Sequence, residues 1–413
     1  MLLPNNQQKT KLVQYADAAR FSYNWALEKQ MTQFQNGGSF LSDAVLRKEF
    51  TQFKKTEQGN WLNKISNNVT KQAIKDCCIA FQNFFREYKK TGIKYSKQKI
   101  EHFARIGKKL TVYDRKCHPK FKSKKQSIPK FYQDPCKLKV TKTHVKVEGF
   151  AVSKRRNKQK LNWIKLAEIG RIPTNGKYSD PRIKFDGVHW WLTVGVEITP
   201  IESKPARKQE GIGIDLGIKD LAICSDGTTE KNINKTKKLK KLEQKKRRIQ
   251  RSISRKYEKN KKGESYCKTK NIEKSEEQLL KINHRLTNLR QNYVHQIATK
   301  IVKREPSFLC IEDLNVNGMM KNKHLSKAVQ QQSLREFRKQ LEYKCEWNRI
   351  PLVIADRFFP SSKLCSCCGN IKKDLKLRDR TYHCDQCGLV IDRDYQASLN
   401  LKRYGETALK SIV

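Results

Sequence analysis

Two short cysteine pairs constrain this chain more tightly than any other feature. They are Cys365-Ser-Cys-Cys368-Gly and Cys384-Asp-Gln-Cys387-Gly, with fifteen residues between Cys368 and Cys384. Each Cys-x-x-Cys lets two thiolates bite one ion, and two such knuckles complete a tetrahedral four-sulfur shell, the donor set of zinc. A shell closed by four cysteines leaves no position for substrate, so the zinc is expected to be structural. The glycine after each pair permits a left-handed turn that aims backbone N–H groups at sulfur. Cys367 could in principle replace Cys368, but the spacing and the following glycine favour Cys365 and Cys368. His383, beside Cys384, is expected at the surface.

The rest of the chain must neutralise an unusual charge. Its 413 residues carry 89 Lys+Arg against 40 Asp+Glu, a net charge of +49. Such a chain needs a polyanion, and nucleic acid is the expected partner. The length exceeds what one core usually fills. No run of 18 apolar residues offers a membrane span. The opening MLLPNNQQKTKLVQY lacks the pattern of a secretory signal, so a reducing, cytoplasmic setting is expected, with thirteen cysteines serving metal and core rather than disulfides.

Periodicity divides the chain. Residues 11–98 read as helical: Leu12, Tyr15, Ala16, Ala19, Tyr23 and Leu27 recur at helical spacing, as do Ala73, Cys77, Ala80, Phe81, Phe84, Phe85 and Tyr88. Arg105–Tyr132 is basic with interleaved aromatics. Alternating runs at Lys137–Val147, Asn162–Leu166, Arg182–Phe185 and Trp190–Ile198 argue for a small β-barrel or sandwich suited to a nucleic-acid backbone or unpaired bases. Pro200–Glu210 reads as a linker. Beyond it, Gly211–Gly217 and Leu221–Gly227 read as two strands joined by a tight turn, and Asn234–Val302 as a long helical hairpin. The first arm of that hairpin is mostly charge, since Lys231–Lys262 holds 16 Lys+Arg and 2 Glu. A solvated helix would mix signs, so this arm is expected to lie along phosphates. Phe308–Leu314 and Pro351–Phe358 read as strands, Ser326–Arg349 as one helix, and about Tyr395 to Tyr404 as a closing helix. Strands alternating with helices here indicate an α/β sheet.

Carboxylates stand at strand ends and helix starts within this last region. Asp215 sits inside GIGIDLG, Glu312 and Asp313 end FLCIEDL, and Asp392 and Asp394 precede the last helix. A carboxylate in an apolar strand is costly unless compensated, commonly by a divalent cation. Three converging carboxylates can hold two hard cations about 4 Å apart, the arrangement for in-line phosphodiester hydrolysis. Taken singly, each acid is equally suited to a salt bridge or a cap.

Four segments carry a family resemblance: GIGIDLGIKDLAICSDG, IEDLNVNGMMKNKHLSKA, EFRKQLEYKCEWNRIPLVIADRFFPSSKLCSCCG and YHCDQCGLVIDRD. Together they resemble the TnpB family, transposon-encoded relatives of the type V CRISPR effectors. The match is near-continuous from Gly211 to Leu401 and fainter upstream, at Arg20–Trp25 and Pro119–Lys124. The resemblance implies a multidomain α/β protein with an RNase H-like RuvC nuclease domain, an inserted four-cysteine zinc ribbon, and a helical bundle and small β-barrel upstream. It implies an RNA-guided DNA endonuclease, with guide RNA, zinc and magnesium as cofactors. Double- and single-stranded target DNA would be partners, alongside a separate transposase from the same element. The catalytic, magnesium-holding triad maps by motif onto Asp215, Glu312 and Asp394, with Asp392 as a supporting residue.

The expected divisions are residues 1–100 (helical), 101–205 (β-barrel), 206–359 (nuclease, with basic hairpin 231–302), 360–391 (zinc ribbon) and 392–413 (closing nuclease segment). Two departures from the family stand out. The chain starts almost at its first helix, so part of the first barrel strand is expected to be missing. Gln396 replaces an asparagine of the third motif. Three alternatives remain at this point: a nuclease-inactive guided repressor, a transposase and a CRISPR effector.

Overall fold

Asn5 opens the first helix by accepting a hydrogen bond from the Gln8 backbone N–H, while the Gln8 side chain accepts from the Asn5 N–H. The Gln8 amide also donates to the Leu161 and Trp163 carbonyls, at 3.0 and 2.8 Å, and so ties the helix start to a strand. In the computed structural model the described residues are 1–92, 95–111, 114–115, 117–124, 126–150, 161–197, 210–376 and 378–411. They fall into two compact units, Met1–Thr199 and Pro200–Val413. The linker expected at 200–210 lies almost wholly outside the described residues.

In the first unit, strand β1 (Leu2–Leu3) precedes helices α1 (Asn6–Gln35), α2 (Asp43–Phe53), α3 (Asn67–Thr91) and α4 (Lys97–Arg105). Strands β2 (Lys130–Tyr132), β3 (Lys139–Val140), β4 (His144–Lys146), β5 (Trp163–Leu166), β6 (Tyr178–Phe185) and β7 (Trp190–Val196) follow. They form one antiparallel sheet in the order β2-β6-β7-β1-β5-β4-β3. Among the described residues no ladder joins β2 to β3. A short strand does precede the first helix: β1 sits mid-sheet, with Leu2 opposite both Leu166 and Trp190. Leu2 enters the core, and the Met1 amino group pairs with Glu168 at 3.2 Å.

One apolar cluster runs from Leu2 through α1 and α3 to Trp190, so no core boundary falls at residue 100. The six apolar residues expected on the first helical stripe are all buried. Tyr15 meets Phe131 and Phe150 edge-on, and Arg182 clamps Asp76 with two hydrogen bonds, at 2.5 and 3.1 Å. Asn24 exchanges two hydrogen bonds with the Lys122 backbone, so the two upstream segments that carry the resemblance meet.

The second unit is built on strands β8 (Ile212–Leu216), β9 (Asp220–Cys224) and β10 (Thr229–Lys231), and on the hairpin of α5 (Lys237–Lys259) and α6 (Lys270–Val302). Two short strands, β11 (Lys261–Lys262) and β12 (Ser265–Tyr266), close the hairpin tip. Strand β13 (Leu309–Glu312), helices α7 (Val316–Lys321), α8 (Ser326–Gln332) and α9 (Leu334–Trp347), and strand β14 (Leu352–Ala355) follow. Strands β15 (Thr381–His383) and β16 (Val390–Asp392) lead into α10 (Arg393–Lys410).

The main sheet runs β10-β9-β8-β13-β14, antiparallel over its first three strands and parallel from β8 onward. Apolar residues of α5 and α6 zip the hairpin, and the C-terminal half of α6 packs on the sheet. The single helix expected over Ser326–Arg349 is broken: Ser333, at φ 58°, takes the left-handed conformation between α8 and α9. Strand β10 was concealed by the basic run that begins within it.

Candidate active site and cysteine ribbon

Parallel register brings the first two acids together. Ile311 lies opposite Ile214, so Glu312, one residue on, is the neighbour of Asp215 across β13 and β8. Register partners in a parallel pair point to the same face. The third acid arrives on α10, which packs directly on β8. A Cβ at Gly213 would lie 2.1 Å from the Ser398 carbonyl oxygen and 2.3 Å from the Lys402 nitrogen, so only glycine lets the helix sit so close. Asp394 is in the first turn of that helix.

The electrostatics show the convergence. Burial pushes the Asp215 carboxyl well above the ordinary carboxylate range, and the Glu312 and Asp394 carboxylates push it further, against the opposing pull of Arg393. Glu312 is also raised, chiefly by burial, although a Ser361 hydroxyl donating to it at 2.5 Å pulls the other way. Asp394 is held by arginine, with Arg393 nitrogens at 3.2 and 3.3 Å and Arg380 at 3.8 Å. The three acids thus share a field without closing into one shell. Among the described residues only the four cysteines form a group whose ligand atoms all lie within 4.8 Å of one another.

The neighbouring acids have other partners. Asp313 is gripped by Arg338 at 2.7 Å and Arg357 at 2.5 Å, which hold its carboxyl below the ordinary range. Asp392 caps α10 by accepting from the Asp394 and Tyr395 N–H groups, both at 3.0 Å.

Cys365, Cys368, Cys384 and Cys387 gather with sulfur–sulfur distances of 3.6 Å for the 365–387 and 368–384 pairs. A zinc–sulfur bond of about 2.3 Å places tetrahedral sulfurs about 3.8 Å apart, so the cluster fits that ion. Gly369 and Gly388 are left-handed, at φ 76° and 71°. Backbone N–H groups of Cys387 and Gln386 hold the Cys384 thiol down, while the neighbouring sulfurs push Cys368 and Cys387 up, so the cluster keeps protons that a bound metal would displace. Cys367 stays outside the cluster, and His383 is exposed.

Residues to which sequence reasoning gave no role join the two sites. Asn400 is fully buried, and its amide donates to the Ser361 and Leu364 carbonyls at 2.8 and 2.6 Å. Ser361 in turn holds Glu312, and Leu364 precedes the first zinc-type cysteine. Ser361 sat in the quoted FFPSSKLC segment; Asn400, a polar residue on a buried helix face, left only that oddity as a signal. Gln396 is fully buried too, its Nε2 without a partner and its Oε1 3.5 Å from the Ser366 hydroxyl.

Three family models match the chain: "Probable transposase" over residues 193–323, "Cas12f1-like, TNB domain" over 335–401 and "Helix-turn-helix domain" over 1–39. A Streptomyces pristinaespiralis protein named "Putative RNA-guided DNA endonuclease" is 28% identical over 98% of this chain and 88% of its own length. "Putative RNA-guided DNA endonuclease InsQ" of Escherichia coli K12 is 22% identical over 99% and 92%. The structure of a Cas12f1–sgRNA–target DNA complex aligns at TM-score 0.34 and 14% identity, over 96% of this chain and 95% of that one, a likeness too loose to argue from. The class these matches define is the probable transposase whose relatives are named RNA-guided DNA endonucleases. The chain belongs to the TnpB family.

Proposed function

We propose that this protein is an RNA-guided DNA endonuclease of the TnpB type, associated with a transposable element. The observation that carries the reading is the placement of Asp215 and Glu312 as register neighbours, with Asp394 brought over them by α10. The raised carboxyls of Asp215 and Glu312 mark a crowding of acids that a divalent cation would relieve. The names of the full-length relatives support the same reading.

Residues 206–359 and 392–413 would form the RuvC, RNase H-like nuclease, with 360–391 as its zinc ribbon. Residues 1–100 and 101–205 would serve as the helical and β-rich nucleic-acid-binding parts. Asp215, Glu312 and Asp394 would hold magnesium, which when bound supplies an activated water and stabilises the leaving oxygen. Arg393 and Arg380 must first release Asp394, and Ser361 orients Glu312. Zinc held by Cys365, Cys368, Cys384 and Cys387 would brace the turn that carries Ser361. Guide RNA would select the target by base pairing while the protein grips backbone, a division that explains the excess of Lys and Arg. The basic face of α5 is proposed as one such backbone contact.

The test is cleavage of a plasmid matched to the RNA that co-purifies with the chain, in magnesium. The parent should cut and Asp215→Ala should bind without cutting. A parent that binds its matched site and never cuts would establish the guided repressor instead.

A further inference from the structure

The Glu312 carboxylate has one hydrogen-bond partner among the described residues, the Ser361 hydroxyl at 2.5 Å. A hydroxyl on so short a side chain goes where its backbone carries it. The aim of Glu312 therefore depends on how the turn bearing Ser361 is held. That turn, Pro360–Leu364, closes on the Pro360 carbonyl, which accepts from the Lys363 N–H at 2.9 Å and the Leu364 N–H at 3.0 Å. Inside the ribbon, the Tyr382 hydroxyl donates to the Lys363 carbonyl at 3.3 Å.

The Ser361 and Leu364 carbonyls are taken together by one amide, the Asn400 Nδ2 on α10. Asn400 is fully buried, and its Oδ1 has no hydrogen-bond partner. A leucine of similar volume would fill that place without burying an unpaired oxygen, so packing alone gives no reason for an amide there. What a leucine could not do is hold two carbonyls. Gln396, one helical turn earlier, reaches only the Ser366 hydroxyl, at 3.5 Å, so the grip on the turn rests with Asn400. One of the two gripped residues carries the hydroxyl on Glu312, and the other precedes Cys365.

We propose that Asn400 is a positioning residue for the cleavage site. Through the Pro360–Leu364 turn it sets the Ser361 hydroxyl on Glu312, and with it the strength with which the acids hold a divalent cation. The proposal rests on the reading of Asp215, Glu312 and Asp394 as that site. Among the described residues Asn400 makes no hydrogen bond to any of the three acids, so it acts through Ser361 alone. Removing Asn400 and removing the hydroxyl are then the same loss.

The experiment uses the full chain with its co-purified RNA and manganese as the probe, read as the rise in melting temperature with manganese concentration. RNA takes up manganese too, so Glu312→Gln supplies the baseline. Asn400→Leu should raise the manganese midpoint about tenfold, the lower end of what a partner behind a metal ligand contributes. Ser361→Ala should raise it by the same factor, and Asn400→Leu/Ser361→Ala by no more than either alone. Cleavage of a guide-matched plasmid should show the same raised magnesium requirement, with one zinc per chain retained. If Asn400→Leu does not fold, Asn400→Ser, whose hydroxyl can still reach one carbonyl, carries the same cycle.

A folded Asn400 variant with the parent's manganese midpoint would overturn the proposal, because a clamp that serves stability alone lowers the melting point and leaves the midpoint in place. Effects of Asn400 and Ser361 that multiply would overturn it too, as would a parent that responds to manganese no more than Glu312→Gln. A parent that binds manganese at the acids and never cuts would defeat the nuclease reading, while the midpoints still decide whether Asn400 positions Glu312.

Discussion

The cysteine ribbon and the carboxylate cluster belong to the same compact unit, yet they are encoded in opposite ways. The ribbon draws all four sulfurs from 23 consecutive residues, Cys365 to Cys387, and already has them within 4.8 Å of one another. The carboxylates come from positions 215, 312 and 394, and their third member is still held by two arginines. Like charges cannot gather without a counter-charge, whereas thiols can wait protonated at ligand distance. A local motif can therefore carry its own geometry, and a site built from distant acids must borrow geometry from sheet register and helix packing.

The sharpest way to break this comparison is at its borrowed part. Asp394→Ala should lower cleavage of a guide-matched plasmid about a thousandfold or more, because the acids act as a unit. Asp392→Ala removes only a helix cap, costing about 1 kcal/mol and a few-fold in rate. The reverse order, in parallel cleavage and melting assays, would show that the third acid was wrongly assigned.

Next in size is the ribbon. Cys384→Ser should take zinc content, measured by atomic absorption, from one per chain to none, with a fall in folded yield, because a structural metal contributes folding free energy directly. One zinc retained at normal stability would remove the four-cysteine assignment.

A smaller effect tests the link between the two sites. Ser361→Ala leaves Glu312 without its hydroxyl and should cost about tenfold in cleavage with a raised magnesium requirement, and Ser361→Thr should restore both. Equal loss in the alanine and threonine variants would mean that packing, not the hydrogen bond, matters there.

The smallest expected effect is on stability. The folded-state pKa of Asp215 lies above its unfolded value, so the stability gained from its proton is complete below about pH 4 and disappears as pH rises through the raised value. Without divalent metal at pH 7, Asp215→Asn should melt about 2–4 °C above the parent, a gap that closes toward pH 4. A lower melting point for the variant at pH 7 would indicate that the carboxylate is compensated within the protein.

Much of this was legible in the residues. The helical stripes of α1 and α3, the strand pairs around Asp215, the basic hairpin and the left-handed glycines after each cysteine pair are consequences of short-range pattern, and all four are present. Strand β1 was not legible, because two leucines make a strand only when β5 and β7 are already beside them. The break at Ser333 was concealed too, since the stripe of Leu334, Phe337, Leu341 and Cys345 marks a helix but the polar run before it does not mark where that helix starts. Asp392 and Asp394 could not be told apart by position alone; hydrogen bonding separated a cap from an acid facing its partners.

The sequence by itself determined the sulfur cluster, the sign and excess of charge, and the short list of candidate acids, because each depends on residue type and near spacing. Only the tertiary structure decided that Glu312 stands beside Asp215, that Gly213 admits α10 close enough to bring Asp394, and that Asn400 and Ser361 connect ribbon to acid. Those relations join residues some 40 to 180 positions apart, and the constraint that sets them is backbone register and close packing, which no local period records.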